Sequence, residues 1–260
     1  VTPDQVIEAL ALPREAMVGQ RVPKTLLVEN GAPTAADKRL IEGGVEELRW
    51  VAALKPTTVG IAAFRDSTRE VVEVAVLTLS IRAKGGRETK LARLVELVHR
   101  AIPYHLMLIT SESPSPPTIS LADKRWAQNE GGKVVLDGDL LESDLASLTP
   151  QVRTELVAAL QLKAVLARQP RATLYTVYRG WIDAVLAAEA ARHTGSFTAA
   201  ESPQRAAERQ EALNTCATLE ASIASLRSAA AKEKQMARQV ELNLELKRLK
   251  AQHEEARQQL

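Results

Sequence analysis

Aromatic residues are scarce in the chain: two Phe, three Tyr and three Trp, 3% of its 260 residues. Binding single-stranded nucleic acid without sequence preference relies on bases stacked along aromatic rings, so an extended platform of that kind is excluded. Cysteine is reduced to Cys216. A lone cysteine cannot close an internal disulfide and suits a reducing compartment. Its place on an apolar helical stripe is that of a small core residue rather than of a stabilised thiolate. Long hydrophobic runs are missing too, since the most apolar stretches, 71–81 and 101–109, fall far short of the roughly 20 residues that span a bilayer. The first residues, with Asp4 and Glu8 around Val6, Ile7 and Leu10, lack the basic-then-apolar order of a secretion signal. No membrane partner is expected, and the expected compartment is the cytoplasm. An excess of one charge is also absent: 34 Lys and Arg against 32 Asp and Glu leave +2, which selects no class of partner.

What remains is ordinary globular composition, 45% hydrophobic and 25% charged. Thr2 or Asp4 caps a short helix through Leu10. Residues 19–33, with Pro23, Gly31 and Pro33, read as an irregular arm. A helix capped by Thr34 or Asp37 is predicted to run past Leu40, Ile41, Val45 and Leu48 to Leu54, where Pro56 stops it. Gly43 and Gly44 inside it cost about 1 kcal/mol each and suggest a close backbone approach. Residues 58–64 and 71–81 are rich in β-branched side chains and read as a hairpin, the second strand apolar on both faces and therefore central. A helix from Glu88 to Ala101 and strands at 104–110, 118–122 and 133–137 follow.

From Thr149 and Pro150, a cap followed by a first-turn proline, the chain becomes helical. One helix runs towards Pro170 and another from Thr173 to His193. Beyond Pro203 there is neither glycine nor proline, and strong helix formers dominate to Leu260, which predicts one long helix. Its apolar seam, Cys216, Leu219, Ile223, Leu226 and Ala230, steps by three and four as in a coiled coil. Past Met236 and Val240 a second run, Leu242, Leu246 and Leu249, slips out of phase, which implies two halves packed on different neighbours. The expected class is α+β: a small antiparallel or mixed sheet packed by helices (1–145), a helical hairpin region (146–195) and a long coiled-coil-like C-terminal helix (203–260).

Chemistry is harder to find. Glu88, Thr89 and Lys90 spell the Glu-x-Lys of a metal-dependent nuclease, with Asp66 upstream, but at a helix start rather than on a strand, where the helix dipole already explains Glu88. Gly131, Gly132 and Lys133 lack the spacing of a phosphate loop. His99, His105, His193 and His253 show no ligand spacing, so no metal and no cofactor are expected, and Ser111 and Ser113 sit in no hydrolase elbow. No catalytic residue is assigned. The remaining candidate is a basic cluster, Arg82, Lys84, Arg87, Lys90 and Arg93 with Lys124 and Arg125, placed to neutralise phosphates without reading sequence, although Glu88 and Glu96 dilute it. Trp50 and Trp126 read as packing residues.

Four motifs in order, "WVAALKPTTVGI" with Trp50, Leu54, Pro56 and Thr58, "AIPYHLML" with Ile102, Pro103 and Tyr104, "ISLADKRW", and "KEKQMARQVELNLELKRLK", give a chain that resembles the bacterial domain-of-unknown-function family 4391. It departs from the family by placing His105 where a second proline is common and by a longer polar insertion after Ser111. The resemblance implies no catalytic residues. It implies a component encoded beside helicases and DNA methyltransferases in defence or restriction-like loci. The resulting expectation is a non-catalytic interaction subunit whose helical tail, through Leu219, Ile223, Leu226, Met236, Val240, Leu242, Leu246 and Leu249, binds such a helicase or methyltransferase, or a second copy. The alternatives are a nucleic-acid-binding accessory that uses the basic cluster and, behind it, a metal-dependent nuclease.

Overall fold

Thr2 opens the chain with a capping box, its hydroxyl accepting from Gln5 N at 3.3 Å while Gln5 Oε1 accepts from Thr2 N at 2.8 Å. It starts α1 (Pro3–Ala9). A computed structural model describes residues 1–82, 88–112, 115–128, 133–166 and 172–260. These form two units, Val1–Val185 and Leu186–Leu260.

In the first unit a 3-10 turn (Arg14–Ala16) leads into β1 (Met17–Arg21), α2 (Lys24–Gly31), α3 (Ala35–Gly44) and β2 (Val45–Leu54). The predicted irregular arm is thus a strand and a helix. Thr34 is the cap of α3, accepting from Asp37 N at 3.1 Å. That helix stops at Gly44, and the residues read as its second half are strand. The reason is in the pairing. Two register irregularities in β2, between Val45 and Glu47 and between Trp50 and Ala52, each insert an extra residue. They place Val45, Leu48 and Val51 on buried positions three apart, a spacing that imitates a helix where an unbroken strand would alternate by two.

Next come α4 (Pro56–Val59), ended by Gly60 at φ 68°, the small hairpin β3 (Phe64–Arg65) and β4 (Glu70–Val71), β5 (Val74–Ile81), α5 (Glu88–Ala101), β6 (His105–Ser111) and β7 (Thr118–Leu121). A second small hairpin, β8 (Lys124–Trp126) and β9 (Val134–Leu136), is followed by β10 (Leu141–Asp144), α6 (Pro150–Leu166) and α7 (Leu174–Thr194). The expected hairpin of 58–64 with 71–81 is therefore α4 and the one short β3–β4 ladder, followed by β5. The main sheet has six strands in the order β1-β2-β5-β6-β7-β10. Only β5 and β6 run parallel among the described pairs, joined by α5, and the rest are antiparallel. As expected, β5 is central. One core gathers Leu27 of α2, Ile41 of α3 and Leu94, Val95, Leu97 and Val98 of α5 against Ala75, Leu77, Leu79, Leu106 and Leu108 of the sheet. Each Leu, Ile and Val among them contributes roughly 1.5–3 kcal/mol by burial. The close backbone approach falls at Gly31, where an added Cβ would lie 2.7 Å from Leu97 O and 2.8 Å from Ala101 Cβ, and not at Gly43, which faces open space.

In the second unit the C-terminal segment is two helices, α8 (Pro203–Lys232) and α9 (Met236–Arg257). The turn needs no glycine or proline. Glu233 adopts an extended conformation and its Oε1 accepts from Lys234 N at 2.7 Å and Gln235 N at 2.9 Å, so one carboxylate holds both amides of the turn. The helices run antiparallel, Arg205 reaching Gln259 O, Glu220 meeting His253, and Ala230 O meeting Gln239. Ile223, Ala230 and Leu246 form their core, flanked by Leu226, Leu242 and Leu249. The phase slip seen in the sequence is this turn, and the two halves pack on one another.

Candidate functional site

At the end of β7 the chain passes through Asp123, where four elements of the first unit meet. His105, at the start of β6, donates from Nε2 to Asp123 Oδ1 at 2.9 Å, and Lys124 N donates to the same oxygen at 2.9 Å. On the other oxygen, Tyr175 of α7 donates at 2.7 Å and Arg69 forms an ion pair at 2.5 Å. Arg69 comes from the β3–β4 turn, which Asp66 shapes by accepting from Thr68 N, Thr68 Oγ1 and Arg69 N. It also reaches Asp137 at 2.8 Å, which Arg125 pairs at 3.2 Å. Arg179 stands 3.7 Å from Asp123, and Phe64 stacks on Tyr175 at 4.9 Å between centroids.

Burial alone would raise the Asp123 pKa, but the bonds from His105 and Tyr175 and the charge of Arg69 outweigh it and hold the carboxyl well below its ordinary range. Burial lowers His105, against the pull of Asp123, and burial with the Asp123 bond raises Tyr175. A carboxylate that takes four donors has no lone pair left for a substrate proton or a metal ion. The centre braces four elements.

Beside it, Lys124 is fully buried and ends α5: its ammonium donates to His99 O at 2.7 Å, Ile102 O at 2.5 Å and Tyr104 O at 2.6 Å. The first two lie in the last turn of α5 and just past its end, where a helix leaves carbonyls unpaired, and the third lies in the connection to β6. Burial pushes the lysine down to about 7. Neighbouring His99 touches Ser120 Oγ at 3.0 Å and is pushed far below its ordinary value by burial, then by Lys124. Lys24 does the same service for α3, bonding Val45 O and, at 3.4 Å, Glu42 O.

Three of the seven residues of the predicted basic cluster are engaged elsewhere. Lys124 is interior. Arg93 is held by Asp37 through two bonds, at 2.9 and 3.1 Å, and by Glu96 at 2.8 Å, and the Arg93 and Thr34 bonds pull Asp37 down to about 2. Arg125 belongs to Asp137. Arg82 and Lys90 are exposed, while Lys84 and Arg87, like Gly131 and Gly132, lie outside the described residues. Of the nuclease candidates, Asp66 shapes a turn and Glu88 is the first residue of α5. Trp50 packs edge-on against Tyr104 at 6.0 Å. Cys216 is buried, and burial followed by Glu220 raises its pKa, as befits a core thiol.

The predicted helical stripe divides in two. Ile223, Leu226, Leu242, Leu246 and Leu249 are used within the hairpin and Leu219 is half-buried. Met236 and Val240 turn outward, 77% and 52% exposed, and Leu244, which the sequence reading passed over, joins them at 64%. One turn apart each, they make a second apolar face on α9, away from α8.

The molecule is thus an α+β protein with a six-stranded mixed sheet and a helical C-terminal part, in which, among the described residues, no helix is long and apolar enough to cross a membrane. The model of one family, Domain of unknown function (DUF4391), matches residues 10–252, and the chain belongs to that family. No curated protein and no solved structure matches it.

Proposed function

We propose that the protein is a non-catalytic interaction subunit, and that the outward face of α9 assembles it by receiving the same helix of a second copy. Exposure of Met236, Val240 and Leu244 on one face carries the reading. Large aliphatic side chains aligned along a helix with nothing against them mark an interaction surface. Ala237, Val240, Leu244, Lys247 and Ala251, all exposed, step by three and four as a seam does. In an antiparallel pair of such helices, Glu241 of each copy falls beside Arg248 of the other, so the edges are self-complementary in charge. The saturated carboxylate at Asp123 supports the non-catalytic half of the reading. The family resemblance adds a setting, a defence or restriction-like complex with a helicase or DNA methyltransferase.

Light scattering behind size exclusion tests it. The protein should run at twice its 28.3 kDa, and the double substitution Val240→Glu with Leu244→Glu should return it to monomer. Loss of two buried aliphatic contacts per copy weakens self-association by about a hundredfold or more. Far-UV circular dichroism should be unchanged. A wild-type protein that stays monomeric at every concentration at which it is soluble, or a variant that remains a dimer, overturns the self-pairing.

A further inference from the structure

Two of the histidines that the sequence leaves 60 residues apart come together with one carboxylate in the second unit. His193 lies in the last turn of α7, Glu220 in the middle of α8 and His253 near the end of α9. His253 Nε2 is 3.0 Å from Glu220 Oε1, and His193 Nδ1 is 3.9 Å from that same oxygen. One ligand atom from each residue falls in a group whose members all lie within 4.8 Å of one another. The rings stand 6.3 Å apart at 65°.

From this we infer that His193, Glu220 and His253 form a binding site for a divalent first-row transition metal, with zinc as the representative ion. Bonds of about 2.0–2.2 Å from a tetrahedral metal put neighbouring ligand atoms about 3.3–3.5 Å apart. The two separations to Glu220 Oε1 bracket that spacing and every pair lies within 4.8 Å, so closure needs side-chain shifts of about an ångström or less. Two imidazoles and a carboxylate form a donor set that zinc and its neighbours accept and that calcium or magnesium, which take oxygen ligands, does not suit. Half-buried imidazoles, 17% and 18% exposed, are held in place, while the carboxylate, 53% exposed, is open to solvent and leaves a fourth position for water. Arg257 fixes the backbone of the first ligand by donating to His193 O at 2.6 Å.

Proton balance follows from the geometry. Without metal, His253 Nε2 carries the hydrogen that Glu220 accepts, and a metal takes that place. His253 must then hold its proton on Nδ1, or release one if it was imidazolium. Because the ligands come from three helices, the ion cross-links α7, α8 and α9 within this unit and stabilises the folded form by mass action. The inference is independent of the dimer reading, since none of its residues lies on the Met236, Val240 and Leu244 face.

Titration of chelator-treated protein with zinc chloride against a colorimetric zinc indicator tests it, with nitrogen-detected NMR of the histidine rings as a second readout. One equivalent of zinc should bind per chain, moving the His253 proton from Nε2 to Nδ1, and Glu220→Gln and His253→Gln should each weaken binding by about tenfold or more. Glu220 is mostly exposed, so its Gln variant is expected to fold, checked by circular dichroism. No stoichiometric binding, or binding that both variants leave unchanged, overturns the site. So does bound zinc that leaves the His253 tautomer where it was.

Discussion

Lys124 shows how one side chain can be misread from its neighbours. In the sequence it stands beside Arg125 at the end of a strand and looks like part of a phosphate-binding rim. In the fold it is a helix cap made from a distant residue, and three carbonyls of the α5 terminus and its exit share its ammonium. Burial lowers its pKa to about 7, against roughly 10.4 in an unfolded chain. Between those values the unfolded chain holds more protons, so stability must rise with pH across that window, by at most about 1.4 kcal/mol per unit. Urea denaturation at pH 7 and pH 9 should show the rise in the wild type. Lys124→Met should abolish the slope and be less stable at both values, because the carbonyls lose their donor. At Asp123 the charge matters more than any one hydrogen bond. Asp123→Asn leaves Arg69 with Asp137 as its remaining carboxylate partner and is expected to cost about 1.5–3 kcal/mol. Tyr175→Phe, which removes one donor, should cost only about 1 kcal/mol in the same denaturation experiment. The site was partly legible, since Asp123 and Lys124 sit in a charged run directly after an apolar strand. Arg69 and Tyr175 were not, because nothing local marks a residue whose partner lies over fifty positions away.

At the scale of elements, the readable parts were those whose periodicity was undisturbed. Helix α5, β6 and β7 fall within a residue of where their patterns put them, and the central β5 keeps its predicted end at Ile81 but starts three residues late, at Val74. Capping residues Thr2, Thr34 and Thr149 also act as the sequence suggests, the last accepting from Val152 N at 3.3 Å. The misread elements share one physical cause: a backbone irregularity that no residue type announces. The bulges of β2 shift buried positions to a three-residue step, and the α8–α9 turn is closed by a glutamate, so that fifty-odd residues of good helix former conceal a reversal. Glycine misled in the same way. At Gly31 an alanine methyl would meet the backbone of α5, which cannot yield, so Gly31→Ala should destabilise by about 1–3 kcal/mol. At Gly43 the space is open inside α3, so Gly43→Ala should gain up to about 1 kcal/mol from helix propensity. Paired thermal melts that gave both substitutions the same sign would contradict this placement of the α2–α5 contact.

For the whole molecule, the division into two units has an energetic counterpart. The first unit carries a broad core of sheet and helix side chains, from Leu27 and Ile41 through Leu94 to Leu108. The helical hairpin of the second has a thin one, centred on Ile223, Ala230 and Leu246, with surface ion pairs such as Arg238–Glu241 and Arg248–Glu245 along its outside that contribute little in water. A large core and a small one in one chain need not unfold together. The residues themselves supply separate probes: Trp50, Trp126 and Trp181 all belong to the first unit, whereas the ellipticity at 222 nm includes α8 and α9 in full. In a guanidinium titration the ellipticity should therefore begin to fall before the tryptophan emission moves. Zinc, which would bind only residues of the second unit, should shift the early ellipticity phase towards higher denaturant and leave the emission midpoint in place. Dimer formation through α9 should make the same early phase depend on protein concentration, and the charge-bearing Val240 and Leu244 variants should remove that dependence. Coincident curves for the two probes, in the presence and absence of zinc, would mean that the thin core draws its stability from something other than the residues packed within it.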